Sequence, residues 1–334
     1  MKTPFLVITS IAEDSNEVLK KYSHECKKRG INFILIGDTK SPQTFQLEGC
    51  DFYSIEDQLK LADFSLPLNT PLKHYSRKNI GYLIAISKGA EIIIETDDDN
   101  LPYDSFWAER VLTIRANKLI NSGWVNIYKY FVELNIWPRG FPLENILEDF
   151  PEFKNVEEVL CPIQQGLADD NPDVDAIYRM ILPLQIKFND KPPIALSSNS
   201  TCPFNSQNTT WFKEAFPLLY LPSFCSFRMT DIWRSFVAQR ISWTCGWSIL
   251  FNKSTVYQIR NDHSIIKDFE DEIPGYLNNT KIMNSLVKLE LKDGIENIQT
   301  NMILCYKELI KLEVIDEKEL ELLNFWLKDL NEFH

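Results

Sequence analysis

An alternation of apolar strands with an amphipathic helix near the start of the chain constrains the fold most. The segments "FLVITSI" (5–11) and "INFILIGD" (31–38) are apolar and rich in β-branched residues, and Val18, Leu19 and Tyr22 follow helical spacing between them. Two buried strands joined through a helix form a β-α-β unit, which is typical of a parallel sheet. We therefore expect an α/β protein.

A further strand of this sheet ends in three consecutive carboxylates. "EIIIETDDDN" (91–100) follows a predicted helix, "SRKNIGYLIAISKGA", and closes on Asp97, Asp98 and Asp99. Ligands of open α/β sheets bind at the carboxyl ends of the strands. Mg²⁺ and Mn²⁺ prefer oxygen ligands, so we expect a divalent metal site in which Asp97 and Asp99 share a task. A solvated acidic loop is the alternative.

The remaining chain is predicted as a mixture of helices and strands. We expect helices over about 105–120, 210–216 and 230–241, and a strand in "WTCGWSILF" (243–251). The tail, roughly 280–334, alternates Leu with Lys and Glu in the manner of amphipathic helices. We expect it to extend the α/β domain.

Composition narrows the classes of function. The 334 residues carry a net charge of −12, which disfavours nucleic acid as a partner because phosphate binding needs clustered Lys and Arg. No apolar run approaches the ~18–20 residues of a membrane span, and the start "MKTPFLVITSIAED" fits a first strand better than a signal peptide. Seven cysteines without a CxxC pair favour a reduced, cytoplasmic chain without structural zinc.

Several polar segments are candidates for binding a substrate. Arg77 and Lys78 precede a predicted helix, and they either contact the base or phosphates of a nucleotide or form a solvated pair. The sequence has neither a P-loop nor a dinucleotide-binding glycine pattern. The segments "PDVDAIYR" and "PFNSQNT" either build local structure, such as an Asp175–Arg179 ion pair, or bind sugar hydroxyls. The candidates in these two segments are Asp173, Asp175, Asn205, Gln207 and Asn208.

Two later residues are candidates for catalysis and metal binding. In "RMTDIWRSF", Thr230 can cap a helix and place Asp231 in its first turn, where the helix dipole favours an ionised carboxylate. Asp231 could then act as general base towards an acceptor hydroxyl, or it could merely pair with Arg234. His263 follows the last predicted core strand and is either a surface histidine or a metal ligand that favours Mn²⁺.

Four segments of the sequence resemble a known protein family. The stretch "SRKNIGYLIAISKGAEIIIETDDDN" resembles the core of the STELLO-type glycosyltransferases, and so do the segments 166–180, 203–222 and 230–241. The resemblance covers roughly residues 1–275. Plant members resemble Golgi membrane proteins with a spanning helix, which is not predicted here, so a membrane-trafficking role is not carried over.

The resemblance implies a fold and a domain organisation. We expect a GT-A-like (Rossmann-like) mixed sheet flanked by helices over residues 1–275, followed by a helical extension over 276–334. Asp97–Asp99 would be the D-x-D element of this fold, with Mn²⁺ or Mg²⁺ bridging the phosphates of a nucleotide-sugar. The implied donor site is Arg77, Lys78, Asp97 and Asp98, and the implied metal ligands are Asp97, Asp99 and His263.

The resemblance also implies an activity. We expect a metal-dependent glycosyltransferase of polysaccharide biosynthesis that moves a sugar from a nucleotide-diphosphate-sugar to a glycan or glycolipid hydroxyl, with inversion and with Asp231 as base. The cysteine pattern, and not the resemblance, predicts a cytoplasmic location, and peripheral contact with the inner face of a membrane is left open.

Two other functions are compatible with the same fold. A sugar-phosphate nucleotidyltransferase usually carries a glycine-rich loop near its N-terminus, but "TSIAEDSNE" has no glycine. A non-catalytic scaffold in glycan assembly would not need Asp97–Asp99 and Asp231 intact.

Overall fold

The computed structural model describes residues 4–153, 156–259 and 264–333. Its strands are β1 (Pro4–Thr9), β2 (Asn32–Ile36), β3 (Asp51–Tyr53), β4 (Ile92–Thr96), β5 (Asn100–Pro102), β6 (Thr113–Leu119), β7 (Gly123–Trp124), β8 (Val156–Leu160), β9 (Ile163–Asp169), β10 (Ile194–Leu196), β11 (Ser200–Thr201), β12 (Asn208–Phe212) and β13 (Ile249–Gln258). Its α-helices are α1 (Glu17–Arg29), α2 (Ile55–Leu59), α3 (Leu66–Asn69), α4 (Lys78–Ser87), α5 (Ile127–Phe131), α6 (Ala176–Ile181), α7 (Thr230–Thr244), α8 (Ile265–Lys288), α9 (Ile298–Lys311) and α10 (Glu319–Asn331).

Most of the described strands form one mixed sheet with the order β3-β2-β1-β4-β12-β9-β13-β10-β6-β8, and β5 pairs with β13 at one side. The first four strands in this order are parallel, with Val7 opposite both Ile34 and Glu95. Strand β12 then runs antiparallel to β4 and β9. The predicted α/β fold, a Rossmann-like mixed sheet flanked by helices, is confirmed.

Helices cover both faces of the parallel strands. Helix α1 starts where the Asn16 side chain accepts a hydrogen bond from the Leu19 amide at 2.9 Å, and it buries Leu19 against the side of β2 that carries Phe33. Helix α4 packs against the opposite face. There a Cβ on Gly81 would lie 2.6 Å from Val7 Cγ1, so only glycine allows α4 to approach β1 this closely.

A buried ion pair connects β4 to α7. Arg234 donates to both carboxylate oxygens of Glu95 at 2.8 and 3.0 Å, and Tyr82 and Trp211 donate to the same carboxylate. The exposed fraction is 1% for the Arg234 side chain and 0% for the Glu95 side chain. Because Glu95 lies just before Asp97 and Arg234 lies one turn after Asp231, the pair holds two candidate site segments together.

The C-terminal helices pack onto the core of the sheet domain. Helix α10 contacts α3 and α4, and the Asp329 carboxylate accepts hydrogen bonds from the backbone amides of Ser65 and Leu66 at 2.8 and 2.7 Å. Trp326 belongs to the same buried cluster as Phe5. The predicted boundary between residues 275 and 276 falls inside α8. The division into a domain over 1–275 and a helical extension over 276–334 stays a prediction.

Four local predictions were wrong in whole or in part. In the strand predicted over 243–251, α7 runs to Thr244 and β13 begins only at Ile249. Residues 105–120 contain only a short 3₁₀ turn before β6, because pairing of β6 with β8 and β10 overrides its helical appearance. The predicted helix 210–216 is the end of β12 followed by a 3₁₀ segment, since Thr209, Thr210 and Trp211 suit a strand between two partners. Helix α7 confirms the predicted helix 230–241, but it starts at Thr230 and is not capped by it.

None of the helices within the described ranges combines the length and apolar character needed to cross a bilayer.

Candidate functional site

Two adjoining cavities lie at the carboxyl ends of the parallel strands. The main cavity, of about 530 Å³, is lined by residues that include Asp97, Asp98, Asp99, Arg139, Gln207 and Asp231. The side cavity, of about 350 Å³, is lined by residues that include Ser10, Asp38, Lys73, His74 and Arg77. The two share the wall residues Thr9, Ile11, Tyr75, Asp98 and Phe227. An elongated ligand could therefore occupy both.

The three aspartates between β4 and β5 have different partners. Asp97 accepts a hydrogen bond from the buried amine of Lys78 at 2.9 Å, and Asp98 accepts one from the Ser10 hydroxyl. Asp99 accepts from Gln258 at 2.9 Å. Burial raises the pKa of Asp97, an effect that Lys78 partly offsets, and burial also raises the pKa of Asp98. These carboxylates are thus held close together at an electrostatic cost that an arriving cation would reduce.

The same residues can be tested for their fit to a divalent metal. Asp97 and Asp99 present carboxylate oxygens to one cavity, and the Asp97 side chain keeps 38% of its surface exposed. Among the described residues, no three histidine, cysteine or acidic side chains converge closely enough to hold a metal by themselves. Carboxylate oxygens are ligands that suit a hard cation, and with only these two residues water and ligand phosphates would have to complete its shell, as is common for Mg²⁺.

Arg77 and Lys78 lie in the same turn but contact different regions. Lys78 is fully buried and also donates to the Thr96 carbonyl at 3.0 Å, so it acts on the aspartate turn directly. Arg77 faces the side cavity and donates to Gln58 at 2.8 Å and to the Thr70 carbonyl at 2.9 Å. Its Nη2 has no hydrogen-bond partner in the part of the chain that the structure describes. Arg77 thus carries a buried N–H donor close to the wall of the side cavity.

A buried arginine joins two of the predicted site carboxylates. Arg139 forms a two-pronged contact with Asp173, with Nε and Nη2 each 2.8 Å from a carboxylate oxygen, and its Nη1 and Nη2 lie 3.1 and 3.0 Å from the two oxygens of Asp231. Burial alone would raise the pKa of Asp173, but Arg139 outweighs this effect and holds that pKa at about 2. Asp231 pairs with Arg139 rather than with Arg234.

The three predicted amides have different positions. Asn205 donates to Asp173 at 2.9 Å and lines the main cavity with Gln207. Asn208 is buried and donates to the Leu167 carbonyl at 3.0 Å and to Thr255 at 2.8 Å, which ties β12 to its neighbours. Asn205 and Gln207 are therefore placed to meet a ligand, whereas the contacts of Asn208 are with the sheet.

Asp175 has structural partners. It caps α6 by accepting from the Tyr178 amide at 2.8 Å, and it accepts from the Trp137 indole at 2.6 Å. Arg179 pairs with Asp268 at 2.9 Å rather than with Asp175. Burial raises the pKa of Asp175 to about 6. A sugar-binding role for Asp175 stays a prediction.

This raised pKa predicts a pH dependence of stability. The folded protein retains the Asp175 proton at a higher pH than the unfolded chain does, so the contribution of Asp175 to stability falls as the pH rises from about 4 to about 6. Asp175→Asn removes this loss. On going from pH 4 to pH 7, we expect the unfolding free energy of wild type to decrease by roughly 2 kcal/mol more, or increase by that much less, than that of Asp175→Asn. Urea denaturation at the two pH values provides the measurement. Asp104→Asn, at an exposed site, is the control, and equal pH dependence in all three proteins would contradict the prediction.

The predicted metal ligand His263 lies outside the described residues.

Several residues of the cavities were not predicted from the sequence, among them Arg139, Tyr75 and Phe227. Arg139 gave no local signal, because its partners lie 34 and 92 positions away. Tyr75 accepts a hydrogen bond from the Asp231 amide at 3.0 Å, and Phe227 packs edge-on against it with 46% of its own surface exposed. The available signal for Phe227 was an aromatic residue between the polar Ser226 and Arg228.

A carboxylate-lined cleft at the carboxyl edge of parallel strands places the chain among the ligand-binding α/β proteins. Within this class, residues 228–334 match the family model of the STELLO glycosyltransferases. The resemblance inferred from the sequence is confirmed, and the chain is similar to the STELLO glycosyltransferases.

Two proteins of Arabidopsis thaliana support this relationship. The chain is 29% identical over 307 residues to "Probable glycosyltransferase STELLO2", covering 86% of this chain and 39% of that protein. It is 31% identical over 261 residues to "Probable glycosyltransferase STELLO1", covering 72% of this chain and 33% of that protein. The chain thus spans less than half the length of these relatives.

A mycobacterial protein of known crystal structure aligns with a TM-score of 0.41 at 10% identity, over 83% of this chain and 74% of that one. A likeness at this level carries no information on function.

Proposed function

We propose that the chain is a metal-dependent glycosyltransferase that moves a sugar from a nucleotide-diphosphate-sugar to a hydroxyl of a glycan or glycolipid. The observation that carries the proposal is the pair of adjoining cavities with Asp98 in their common wall and Asp97 and Asp99 beside it. A nucleotide-sugar is elongated and has its diphosphate in the middle, which matches this arrangement. The relationship to a glycosyltransferase family supports the same class.

The donor is proposed to lie across both cavities. Its nucleoside occupies the side cavity, with Arg77 in the wall of that cavity. Its diphosphate lies at Asp97–Asp99, with Lys78 fixing Asp97. Mn²⁺ or Mg²⁺ held by Asp97 and Asp99 would stabilise the negative charge that develops on the leaving diphosphate.

The sugar and the acceptor are proposed to meet in the main cavity. Asp173, Asn205 and Gln207 supply polar groups for sugar hydroxyls, and Asp231 is the proposed base. The acceptor oxygen forms a bond to the anomeric carbon, the bond from that carbon to the diphosphate breaks, and the acceptor proton passes to Asp231. Attack from the face opposite the leaving group inverts the anomeric centre.

The location is also proposed. All seven cysteines lie in the described ranges and are free thiols. Free thiols agree with a reducing, cytoplasmic compartment.

A ligand screen tests the proposed donor class. We expect a nucleoside diphosphate-sugar from a panel of UDP-, GDP- and dTDP-sugars to raise the melting temperature in the presence of Mn²⁺, because a ligand at a hundredfold excess over its Kd stabilises by ~2.7 kcal/mol. The Asp99→Asn variant should lose most of this Mn²⁺-dependent shift. The exposed Asp190→Asn variant, at 77% side-chain exposure, should keep it.

Two results would count against the proposal. Equal shifts with and without Mn²⁺ would remove the metal dependence. Release of pyrophosphate from a nucleoside triphosphate and a sugar-1-phosphate would instead indicate a nucleotidyltransferase.

A further inference from the structure

We propose that Arg139 is a positioning residue of this site, which aims the Asp231 carboxylate at the acceptor and balances its charge against that of Asp173. This inference rests on the proposed function, since it assigns a role relative to the proposed base. In this proposal Arg139 acts through the Asp231 carboxylate and not on the acceptor oxygen or the anomeric carbon.

The loop that carries Arg139 is held rigidly against α7. Pro138 and Pro142 flank the loop, and Gly140 has φ +85°, a left-handed conformation that favours glycine. A Cβ on Gly140 would lie 2.4 Å from the side chain of Ile232, the residue after Asp231. The Gly140 carbonyl also accepts a hydrogen bond from Asn279 at 2.8 Å. The guanidinium therefore approaches Asp231 from a backbone with little freedom.

The contacts of Asp231 fix the direction of its carboxylate. Besides the two contacts from Arg139, it accepts hydrogen bonds from the amides of Ser206 and Ile232 at 3.2 and 3.0 Å. Two of these four donors belong to one planar guanidinium, which defines the plane of the carboxylate. Lysine carries the same charge but lacks this forked geometry.

Arg139 divides its charge between two carboxylates. Asp173 takes the shorter contacts at 2.8 Å, and Asp231 takes the longer ones at 3.0 and 3.1 Å. The other charged or titratable groups that act on Asp231 are Tyr75, Asp97 and Cys225 on neighbouring elements and Arg234 on its own helix. Loss of Arg139 and loss of Asp173 should therefore affect proton binding at Asp231 in opposite directions.

The test measures release of nucleoside diphosphate by Arg139→Lys, Arg139→Ala and Asp173→Asn as a function of pH. The donors are UDP-glucose, UDP-galactose, GDP-mannose and dTDP-rhamnose, with mixed mono- and disaccharides as acceptors. We expect Arg139→Lys to lower kcat by about tenfold to a hundredfold with little change in the donor KM, because a misplaced base slows chemistry more than binding. We expect guanidinium ion, well below denaturing concentrations, to restore part of the activity of Arg139→Ala.

The acid limb of the pH profile gives the readout that a structural role would not produce. In Arg139→Ala the limb should move to higher pH, because a cation next to the base is lost. In Asp173→Asn it should move to lower pH by about one unit, because a like charge is lost and Arg139 is left to Asp231 alone.

The outcomes separate the two proposals. If wild type releases no nucleoside diphosphate from any donor, the proposed function fails and takes this inference with it. This inference alone fails if wild type is active and the kcat of Arg139→Lys stays within about threefold of the wild-type kcat. It also fails if the acid limbs of Arg139→Ala and Asp173→Asn move in the same direction. Loss of activity that follows the loss of melting temperature and resists guanidinium would show a structural role and would also overturn it.

Discussion

Asp231→Asn is expected to lower kcat by about a hundredfold to ten-thousandfold, which is the contribution usual for a positioned general base. The asparagine can keep hydrogen bonds of similar shape but cannot take up the acceptor proton. Because Asp231 lies away from the side cavity, the donor KM should change little. The measurement is steady-state kinetics with the donor identified by the ligand screen.

The matched control for this variant is Asp190→Asn, in which an exposed carboxylate is neutralised. Its kcat should equal that of wild type. NMR of the product should also show an inverted anomeric configuration. Activity of Asp231→Asn within a few-fold of wild type, or a retained configuration, would remove Asp231 from the role of base.

Arg234→Met is expected to destabilise the protein by about 3–5 kcal/mol, because it leaves the Glu95 carboxylate buried without its cationic partner. Tyr82 and Trp211 would still donate to Glu95, but neither carries a charge. Chemical denaturation provides the measurement. The double variant Glu95→Gln/Arg234→Met should recover part of the loss, since no buried charge then lacks a partner.

An exposed ion pair serves as the comparison for Arg234. Lys60 and Glu56 are 72% and 86% exposed, so Lys60→Met should cost less than about 1 kcal/mol. If Arg234→Met costs no more than Lys60→Met, the buried pair does not stabilise the link between β4 and α7.

The parts of the fold that could be predicted are those in which neighbouring residues determine the structure. The β-α-β unit, the position of Asp97–Asp99 after β4, and the helix that carries Asp231 all follow from local periodicity and strand ends. Strand β6 could not be predicted because its pairing with β8 and β10 decides its conformation. Local pattern is weak evidence where long-range pairing competes with it.

The candidate site shows the same division. The aspartate turn was visible as a motif, but its contacts depend on distant residues, since Ser10 lies 88 positions from Asp98. The pairing of Asp231 with Arg139 spans 92 positions and has no counterpart in sequence spacing. The sequence thus indicated which segments carry the charged side chains of the candidate site. Only the folded structure shows which of these side chains form ion pairs with one another.

The hydrogen bonds from Ser65 and Leu66 to Asp329 have a consequence for the order of folding. The partners are 264 and 263 positions apart, so the start of α3 cannot acquire these bonds until Asp329 has left the ribosome. Contacts between residues this far apart in sequence are associated with slow folding. During synthesis, the surfaces of α3 and α4 that α10 later covers therefore stay open to water and to chaperones.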